Sequence, residues 1–356
     1  MDKLSNLIKI TFVTILFFLI FDFFFGKKIL KKAGIIYLEE LLRVPNKNYS
    51  YSFQQNINTD FAVWGNNYYK LCTDSRGFKF NCKDKEKKNY NIAFIGDSFT
   101  EGIGLPYEKT FVGKLKEKKN LDVVNLGVAS YSAEIYLQKI KYLISKNIIS
   151  FNHLIIGIDL TDLEDDWARR ETIILKKSIN KNLKSKKFNL KKFLAQYFPS
   201  TYLILRRVNW YIKIHITENE NVEHLDYKKN KASWSYIKNY ENLYSKIENQ
   251  ISIMNKLQIF LEQNNIKMSL LIYPHQASIK FDKKNSLYKK IWKNYCINKC
   301  FKFIDAYSIF FDEIRNNSKN DLMKKYFING DAHFNENGNE LIYKILYKNL
   351  ENNHEQ

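Results

Sequence analysis

The sequence predicts an α/β fold in which a mostly parallel sheet is covered by helices on both faces. Short apolar runs of strand length alternate with longer helical patterns. The runs are Ile92–Ile95, Val123–Val124, Leu154–Ile158, Ser269–Tyr273 and Phe301–Ile304, and the helical patterns are Thr110–Leu115, Ala133–Ser145 and Tyr240–Gln263. Because parallel strands need right-handed crossovers, the alternation predicts βαβ units and places a ligand site beyond the carboxyl ends of the strands.

Composition excludes several classes of protein. The 356 residues are 45% hydrophobic and 15% aromatic, with 12 Gly and 4 Pro, which is typical of a folded body and not of a disordered or collagen-like chain. The mean hydropathy of −0.41 excludes a polytopic transporter, since several spans of ~20 apolar residues would raise it. We therefore expect at most one membrane span.

The N-terminal segment predicts that span. Residues from Ile10 to Phe25 are apolar except for two Thr and Asp22, and the segment lacks a small-residue cleavage site at its end. A buried core helix is less favoured, because no polar face runs along the segment. We interpret residues 1–33 as an uncleaved signal anchor with its flanks, followed by a linker and domain entry at 34–90.

Two arguments about the orientation of the anchor conflict. The lysines that follow the span outnumber those before it, so the positive-inside rule favours a cytoplasmic body. The four cysteines form two close pairs that could be disulfides in an oxidising compartment, Cys72 with Cys82 and Cys296 with Cys300. Buried thiols are the alternative, and neither pair has the spacing of a zinc site. We favour disulfides, and hence a body in the periplasm or extracytoplasmic space.

The formal net charge of +20 identifies no partner by itself. It would attract nucleic acid, anionic lipid or acidic polysaccharide alike. The features of specific nucleic-acid readout are missing from the sequence, so a nucleic-acid partner is not expected.

Residues 169–237 form a basic insertion that interrupts the βα rhythm, with clusters at Lys176–Lys177, Lys181 to Lys192 and Arg206–Arg207. Its lysines are typical of a solvated face, or would contact an anionic glycan or the membrane surface.

A candidate nucleophile follows the first strand of the predicted sheet. The strand runs into Gly96, Asp97 and Ser98, and Thr100 and Gly102 follow in a predicted helix. A serine there lies where backbone N–H groups can stabilise an oxyanion, which is a site for acyl transfer. An ordinary serine N-cap is the alternative.

A candidate base lies at the other end of the chain. Asp331 and His333 are two residues apart, in a loop before a helical run from Glu340 to Leu350. A serine hydroxyl needs a nearby base, and that base needs a carboxylate that fixes its tautomer. The two residues would complete a triad with Ser98, whereas a surface histidine is the alternative.

These residues resemble the SGNH hydrolase superfamily, also called the GDSL-type lipases and esterases, over residues 91–350. The sequence around Ser98 is similar to the first block of that family, the stretch with Asn125 and Gly127 to the second, and the stretch with Asp331 and His333 to the last. The resemblance implies a flavodoxin-like three-layer sandwich with a five-stranded sheet, an oxyanion hole with the N–H groups of Ser98 and Gly127, and no cofactor or metal. It points to the membrane-anchored branch associated with polysaccharide O-acetylation.

Two positions depart from the family pattern. The third block usually has Gly-x-Asn-Asp, whose Asn completes the oxyanion hole, whereas this chain has Gly157 and Asp159. An ionised Asp159 would repel an oxyanion, so it is protonated, has another role, or leaves two backbone donors. The second departure is Asp-x-His in place of Asp-x-x-His, which we also associate with polysaccharide-acetylating relatives.

The expected function is acyl transfer, most simply of acetyl, through a Ser98 acyl-enzyme to or from a hydroxyl of an envelope polysaccharide. Water as acceptor makes an esterase and a sugar hydroxyl makes an O-acetyltransferase, which would need a multi-spanning partner that supplies acetyl. The alternative is a catalytically silent domain that binds glycan in polysaccharide assembly, which Asp159 motivates. The other histidines considered, which lack metal-ligand spacing, are His153, His215, His224 and His275. Residues 351–356 form a tail.

Overall fold

The computed structural model describes residues 2–33, 42–64, 67–119, 121–178, 190–212, 225–314 and 318–351. The strands are β1 Arg43–Asn46, β2 Ser50–Phe53, β3 Asn58–Trp64, β4 Asn67–Thr73, β5 Lys79–Phe80, β6 Asn89–Ile95, β7 Val123–Asn125, β8 Ser150–Ile158, β9 Lys267–Ile272 and β10 Lys302–Asp305. The helices before the insertion are α1 Asp2–Phe21, α2 Lys27–Lys32, α3 Ser98–Glu101, α4 Phe111–Lys119 and α5 Ala133–Ser145. The remaining helices are α6 Asp162–Ser178, α7 Leu190–Tyr197, α8 Pro199–Tyr211, α9 Leu243–Gln263, α10 Gln276–Phe281, α11 Leu287–Tyr295, α12 Tyr307–Glu313, α13 Lys319–Tyr326 and α14 Glu336–Glu351.

The parallel sheet predicted from the apolar runs is confirmed. The main sheet has the order β10-β9-β8-β6-β7-β5-β4-β3, and β10, β9, β8, β6 and β7 pair in parallel. Each of these five strands contains or overlaps one of the predicted runs. Strand order reverses at β6, whose neighbours are β7 and β8, so the carboxyl end of β6 lies at a topological switch point where α/β proteins place their ligands.

The predicted number of five strands is too small, because the main sheet has eight in the part of the chain that the structure describes. Within the described residues, β5, β4 and β3 extend the sheet as antiparallel strands, and β5 joins β7 through Lys79 opposite Asn125. These strands come from residues that we placed in the linker and domain entry. The sequence does not reveal them, because β3 and β4 mix exposed and buried positions, whereas the runs that predict strands are continuously apolar.

Helices cover both faces of the sheet, as the fold class requires. Ala93 and Ile95 of β6 belong to one hydrophobic cluster, which also contains residues of α5, α9 and α11. Ile92 and Phe94 point to the opposite cluster, with residues of α4, α12 and α14. Since alternate residues of one strand are buried on opposite faces, the body is a three-layer sandwich.

Both predicted cysteine pairs are disulfides in the structure. Cys72 is bonded to Cys82, with Cα atoms 5.3 Å apart, and Cys296 to Cys300, with Cα atoms 4.8 Å apart. Within the described part of the chain, one helical stretch, Lys3–Leu30, is long and apolar enough to span a membrane or to serve as a signal sequence. It comprises α1, a π-helical turn at Asp22–Gly26 and α2.

The basic insertion is helical over residues 169–178 and 190–212 and consists mostly of turns over residues 225–237. It comprises the second half of α6, then α7 and α8, and the short 3₁₀ turn Ser233–Ser235. Part of the predicted Lys181 to Lys192 cluster, and both His215 and His224, lie outside the described residues.

Candidate active site

The structure brings Ser98, His333 and Asp331 together at the carboxyl end of β6. The Oγ of Ser98 lies 2.7 Å from Nε2 of His333. Nδ1 of His333 is hydrogen-bonded to Oδ1 of Asp331, and the same oxygen accepts the backbone N–H of His333 at 2.9 Å. A carboxylate cannot donate, so Nδ1 carries the ring hydrogen and Nε2 is left to accept from Ser98. This network is that of a serine nucleophile, a base and an orienting carboxylate.

The turn that presents Ser98 depends on local sequence. β6 ends at Ile95, and the carboxylate of Asp97 caps α3 by accepting the N–H of Phe99 at 3.0 Å. α3 ends after one turn at Gly102, whose φ of 67° lies in the left-handed region. Ser98 is only 8% exposed, but it is one of the residues that line an open cleft.

Trp64 is a residue of the site that sequence reasoning missed. Its indole Nε1 donates to Oδ2 of Asp331 at 3.1 Å, and its ring packs edge-on against His333 with centroids 5.2 Å apart. Trp64 therefore holds the orienting carboxylate from the side opposite to His333. It lies at the end of β3, 267 residues from Asp331, and no motif marks it.

A buried ion pair joins the β1–β2 hairpin to the nucleophile helix. Both carboxylate oxygens of Glu101, which is 1% exposed, accept from Nη2 of Arg43, at 3.1 and 2.9 Å. One of these oxygens also accepts the N–H of Ala129 at 2.6 Å. The contacts fix α3 relative to the loop that follows β7, which is the loop that contains Gly127.

Two buried lysines hold carbonyl groups of the same loops. Nζ of Lys79 donates to the carbonyls of Gly102 and Leu105, at 2.9 and 2.6 Å, and burial lowers its pKa to about 8. Nζ of Lys139 donates to the carbonyl of Leu126 at 2.9 Å, and burial lowers its pKa to about 7. In a sequence with so many lysines, no pattern distinguishes these two from solvated ones.

The oxyanion side of the site, where the residues predicted to form the oxyanion hole lie, is hydrogen-bonded within the protein. The N–H of Gly127 donates to Oδ1 of Asn125 at 3.0 Å, so this candidate donor already has an acceptor within the protein. Nδ2 of Asn125 donates in turn to the carbonyl of Thr100 at 2.8 Å, which ties the end of β7 to α3. The role of the Ser98 and Gly127 N–H groups as oxyanion donors stays a prediction.

Three buried carboxyl groups lie behind the nucleophile. Asp97, Asp159 and Asp162 each have an oxygen within 4.8 Å of the others. Asp97 accepts from Phe99 and from the hydroxyl of Tyr273 at 3.2 Å. Oδ2 of Asp159 accepts the N–H of Thr161 at 2.9 Å and also its hydroxyl, whereas Oδ1 of Asp159 has no hydrogen-bond partner among the described residues. Gly157, the other residue of this motif, lies near the end of β8, two residues before Asp159.

Burial raises the pKa of all three carboxyl groups. For Asp97, burial is followed by the negative charge of Asp159 as a cause of the raised pKa, and for Asp162 by the charges of Asp97 and Asp159. For Asp159, burial raises the pKa but the hydrogen bonds from Thr161 oppose it. Burial therefore favours the protonated form of each carboxyl group, and the ionisation of one of them makes the ionisation of its neighbours less favourable.

The same charges act on the base. Burial lowers the pKa of His333, but the charge and hydrogen bond of Asp331, followed by the charges of Asp97 and Asp159, outweigh it, so the pKa is raised from 6.5. An imidazolium that forms when Ser98 loses its proton is thus stabilised in place.

An open cleft of about 480 Å³ leads to the two reacting atoms. Its walls include Arg43, Trp64, Ser130 and Lys192, with Ser98 and His333 at its floor. Trp64 and Asp331 also line a second cleft of about 380 Å³ on the other side of the indole. Ser98 and His333 are therefore accessible to a substrate through an open cleft.

The other described histidines have structural roles. Nε2 of His153 lies 2.8 Å from the hydroxyl of Ser269, and burial, with the charges of Lys267 and Lys302, lowers its pKa to about 4. Nδ1 of His275 caps α10 by accepting the N–H of Ala277 at 3.1 Å.

No protein-family model matches the chain. One curated protein, the uncharacterized protein YpmR of Bacillus subtilis, is 37% identical over 76 residues, which are 19% of this chain and 30% of that protein. The match thus spans less than a third of that relative's length.

Several solved structures are similar to the chain. A putative lipolytic protein of the G-D-S-L family from Desulfitobacterium hafniense is 13% identical, with 74% of this chain and 99% of that chain covered and a TM-score of 0.40. The esterase EstA from Pseudoalteromonas is 12% identical, over 76% and 100% of the chains, with a TM-score of 0.37. A mutant of the acetylxylan esterase Axe2 from Geobacillus stearothermophilus is 11% identical, over 74% and 95%, with a TM-score of 0.40.

Proposed function

We propose that the chain is a serine-dependent acyl ester hydrolase or O-acyltransferase of the SGNH type, whose catalytic triad lies within residues 91–350. The observation that carries the proposal is the 2.7 Å contact between Ser98 Oγ and His333 Nε2, with Asp331 on the opposite ring nitrogen. Serine, histidine and aspartate in this order of contact are the parts that acyl transfer requires.

In the first half-reaction, Ser98 Oγ attacks the acyl carbon while its proton passes to His333 Nε2. Asp331 stabilises the resulting imidazolium through Nδ1, and Trp64 keeps that carboxylate in place through its second oxygen. When the tetrahedral intermediate collapses, Nε2 returns the proton to the leaving oxygen, and the acyl group stays on Ser98.

In the second half-reaction, His333 Nε2 removes a proton from the acceptor, whose oxygen attacks the acyl carbon. When this intermediate collapses, the bond between the acyl carbon and Ser98 Oγ breaks, and Nε2 returns the proton to Oγ. Water as acceptor gives hydrolysis, and a sugar hydroxyl gives transfer. The acetyl group, the envelope polysaccharide and the multi-spanning acetyl-supplying partner are proposals that rest on the sequence resemblance. The extracytoplasmic location of the body is supported by the two disulfides, which persist in oxidising compartments.

The proposal is tested by p-nitrophenol release from its acetate ester by the full-length chain in mild detergent. We expect turnover by the wild type and loss of turnover in Ser98→Ala, since the substitution removes the hydroxyl that attacks the acyl carbon. A matched control is Ser75→Ala, because Ser75 is exposed and bonded to Glu86 away from the cleft. Acceleration by an added polysaccharide acceptor, with acyl groups recovered on it, identifies transfer. Turnover that is equal in the wild type and Ser98→Ala would contradict the proposal.

A second candidate function is favoured by the oxyanion side of the site. Asp159 stands where the family pattern has an amide donor, and the Gly127 N–H is bonded to Asn125. A catalytically silent domain that binds glycan would show saturable binding that survives Ser98→Ala, with no ester turnover in the folded wild type. That pair of results would replace the enzyme by the binding module.

A further inference from the structure

The helices α7 and α8 form a hairpin, residues 190–212, that leaves much of its apolar surface exposed. Its exposed large apolar side chains are Leu190, Phe193, Tyr197, Ile204, Leu205, Val208, Tyr211 and Ile212. On α8 they recur at steps of three and four residues and so share one face of the helix. The buried part of the hairpin is a small cluster around Ala195 and Tyr202, separate from the two large cores. A contiguous exposed apolar face of this kind marks an interaction surface.

The hairpin is attached to the membrane-spanning helix through Asp22. Oδ1 of Asp22 accepts the N–H of Ser200 at 3.1 Å, and Oδ2 accepts the N–H of Thr201 at 2.8 Å and its hydroxyl at 2.7 Å. These N–H groups belong to the first turn of α8, where helical N–H groups lack an acceptor within the helix. Asp22, the one acidic residue of the apolar segment, is 1% exposed, and both of its carboxylate oxygens accept hydrogen bonds in this contact.

The π-helical turn around Asp22 is adapted to the same contact. A Cβ on Gly26 would lie 1.9 Å from Oδ1 of Asp22 and 3.2 Å from Oγ of Ser200. Any larger residue at position 26 would displace the carboxylate from α8. The ring of Phe23 lies beside the chain between the two hairpin helices, 5.7 Å from Phe198 and 6.2 Å from Tyr197 between centroids.

The attachment point fixes the depth of the hairpin. Asp22 lies three residues before Phe25, the end of the apolar segment, which is ~5 Å along a helix. Lys27 and Lys28 follow at once and belong at the level of the lipid headgroups. The N-terminus of α8 is therefore held at the border between acyl chains and headgroups. Amphipathic helices that bind membrane surfaces lie at this depth.

We propose that the α7–α8 hairpin lies in the headgroup layer of the membrane that α1 spans, with its apolar face toward the acyl chains. Lys191 and Arg207 are exposed beside that face, which suits a layer containing anionic lipid. The occupant of the face is thus the lipid bilayer and not a second protein. The inference requires that α1 is retained as a membrane span, and it does not depend on the proposed esterase activity.

The hairpin in this position holds the active-site cleft at the membrane surface. Lys192 of α7 lines the cleft that contains Ser98 and His333. Nη2 of Arg207 donates to the hydroxyl of Tyr68 on β4 at 2.7 Å, which joins α8 to the sheet of the body. Substrates would therefore reach Ser98 from the membrane surface, as acyl esters carried on or lying against lipid.

The test measures lipid contact at single positions of the full-length chain in nanodiscs of phosphatidylcholine and phosphatidylglycerol. Leu205→Trp places a fluorophore on the apolar face, and Tyr244→Trp places one on α9 of the body, at a residue that is 84% exposed. The emission that each substitution adds to the wild type is compared between ordinary lipids and lipids brominated near the headgroup end of the acyl chains.

We expect bromination to remove most of the emission added by Leu205→Trp and to leave that added by Tyr244→Trp unchanged. A third variant, Val208→Trp on the same face, should behave as Leu205→Trp and protects the test against one poorly folded variant. Unquenched emission at both hairpin positions would overturn the proposal, as would equal quenching at Tyr244→Trp. The finding that the mature chain lacks α1 would overturn it as well, because the inference requires α1 as a membrane span.

Discussion

The two sides of Ser98 differ in how completely the protein prepares them for catalysis. On the base side, His333 and Asp331 form a connected network, and both oxygens of Asp331 are engaged, one by His333 and the other by Trp64. On the oxyanion side, the Gly127 N–H is bonded to Asn125, and Asp159 carries an acceptor where a donor is useful. The base side forms a complete proton relay for the proposed reaction, whereas on the opposite side the Gly127 N–H already has an acceptor and Asp159 supplies no amide donor.

The difference teaches that nucleophile activation and oxyanion stabilisation are separable in this chain. A proton relay needs only three side chains in contact, but an oxyanion hole needs donors that have no better acceptor. The charge that Asp159 brings has opposite effects on the two sides. It raises the pKa of His333, which favours the imidazolium, and it repels an oxyanion.

The largest expected effect is on the base side, from Asp331→Asn. The amide can donate to Nδ1 and so favours the tautomer in which Nε2 carries the hydrogen, which cannot accept from Ser98. We expect a loss of about 10⁴-fold in kcat, as for the same change in other serine triads. Ester turnover across pH measures it, and Asp60→Asn, on an exposed residue paired with Lys70, is the control. A loss of less than about tenfold would break the assignment of Asp331.

The next effect is a gain, from Asp159→Asn. The amide adds a donor and removes a repulsive charge, so we expect turnover to rise by about 10²-fold. Asp159 raises the pKa of His333, so its neutralisation lowers that pKa. Because His333 must be neutral to accept the proton, the rising acid limb of the kcat/KM profile should move to lower pH. Asp159→Ala, which removes the charge without adding a donor, should shift the limb in the same direction with a smaller gain. A fall in turnover with an unchanged limb would contradict this account.

The smallest effect tests how the base side is held, through Trp64→Phe. The ring that packs on His333 is kept, and the N–H to Asp331 is lost. A hydrogen bond to a charged group is worth about 1.5–3 kcal/mol, so we expect a loss of about ten- to a hundredfold in kcat with little change in KM. Trp167→Phe, which removes an exposed N–H to Glu171, is the control. Equal activity of both variants would show that Trp64 does not position Asp331.

Much of the fold was predictable because its signals are local. The five parallel strands are continuous apolar runs, and α5 coincides with the predicted Ala133–Ser145 helix. The antiparallel strands β3 to β5 were not predictable in the same way, because their partly exposed residues become strands only by pairing with β7 and with one another.

The sequence by itself determined the features whose partners are close along the chain. These are the Ser98 turn after β6, the spacing of Asp331 and His333, the apolar N-terminal helix and the two short disulfide loops. Each depends on residues within about a dozen positions, so strand runs, caps and cysteine spacing suffice to show it.

Only the tertiary structure decided which distant groups meet. Trp64 reaches Asp331 across 267 residues, Arg43 reaches Glu101 across 58, and Asp22 reaches Thr201 across 179. Tertiary packing also gave Gly127 its acceptor and buried Asp97, Asp159 and Asp162 against one another. The physical reason is that such hydrogen bonds and charges have their strength only where folding has removed water, and no local pattern encodes which groups will share that space.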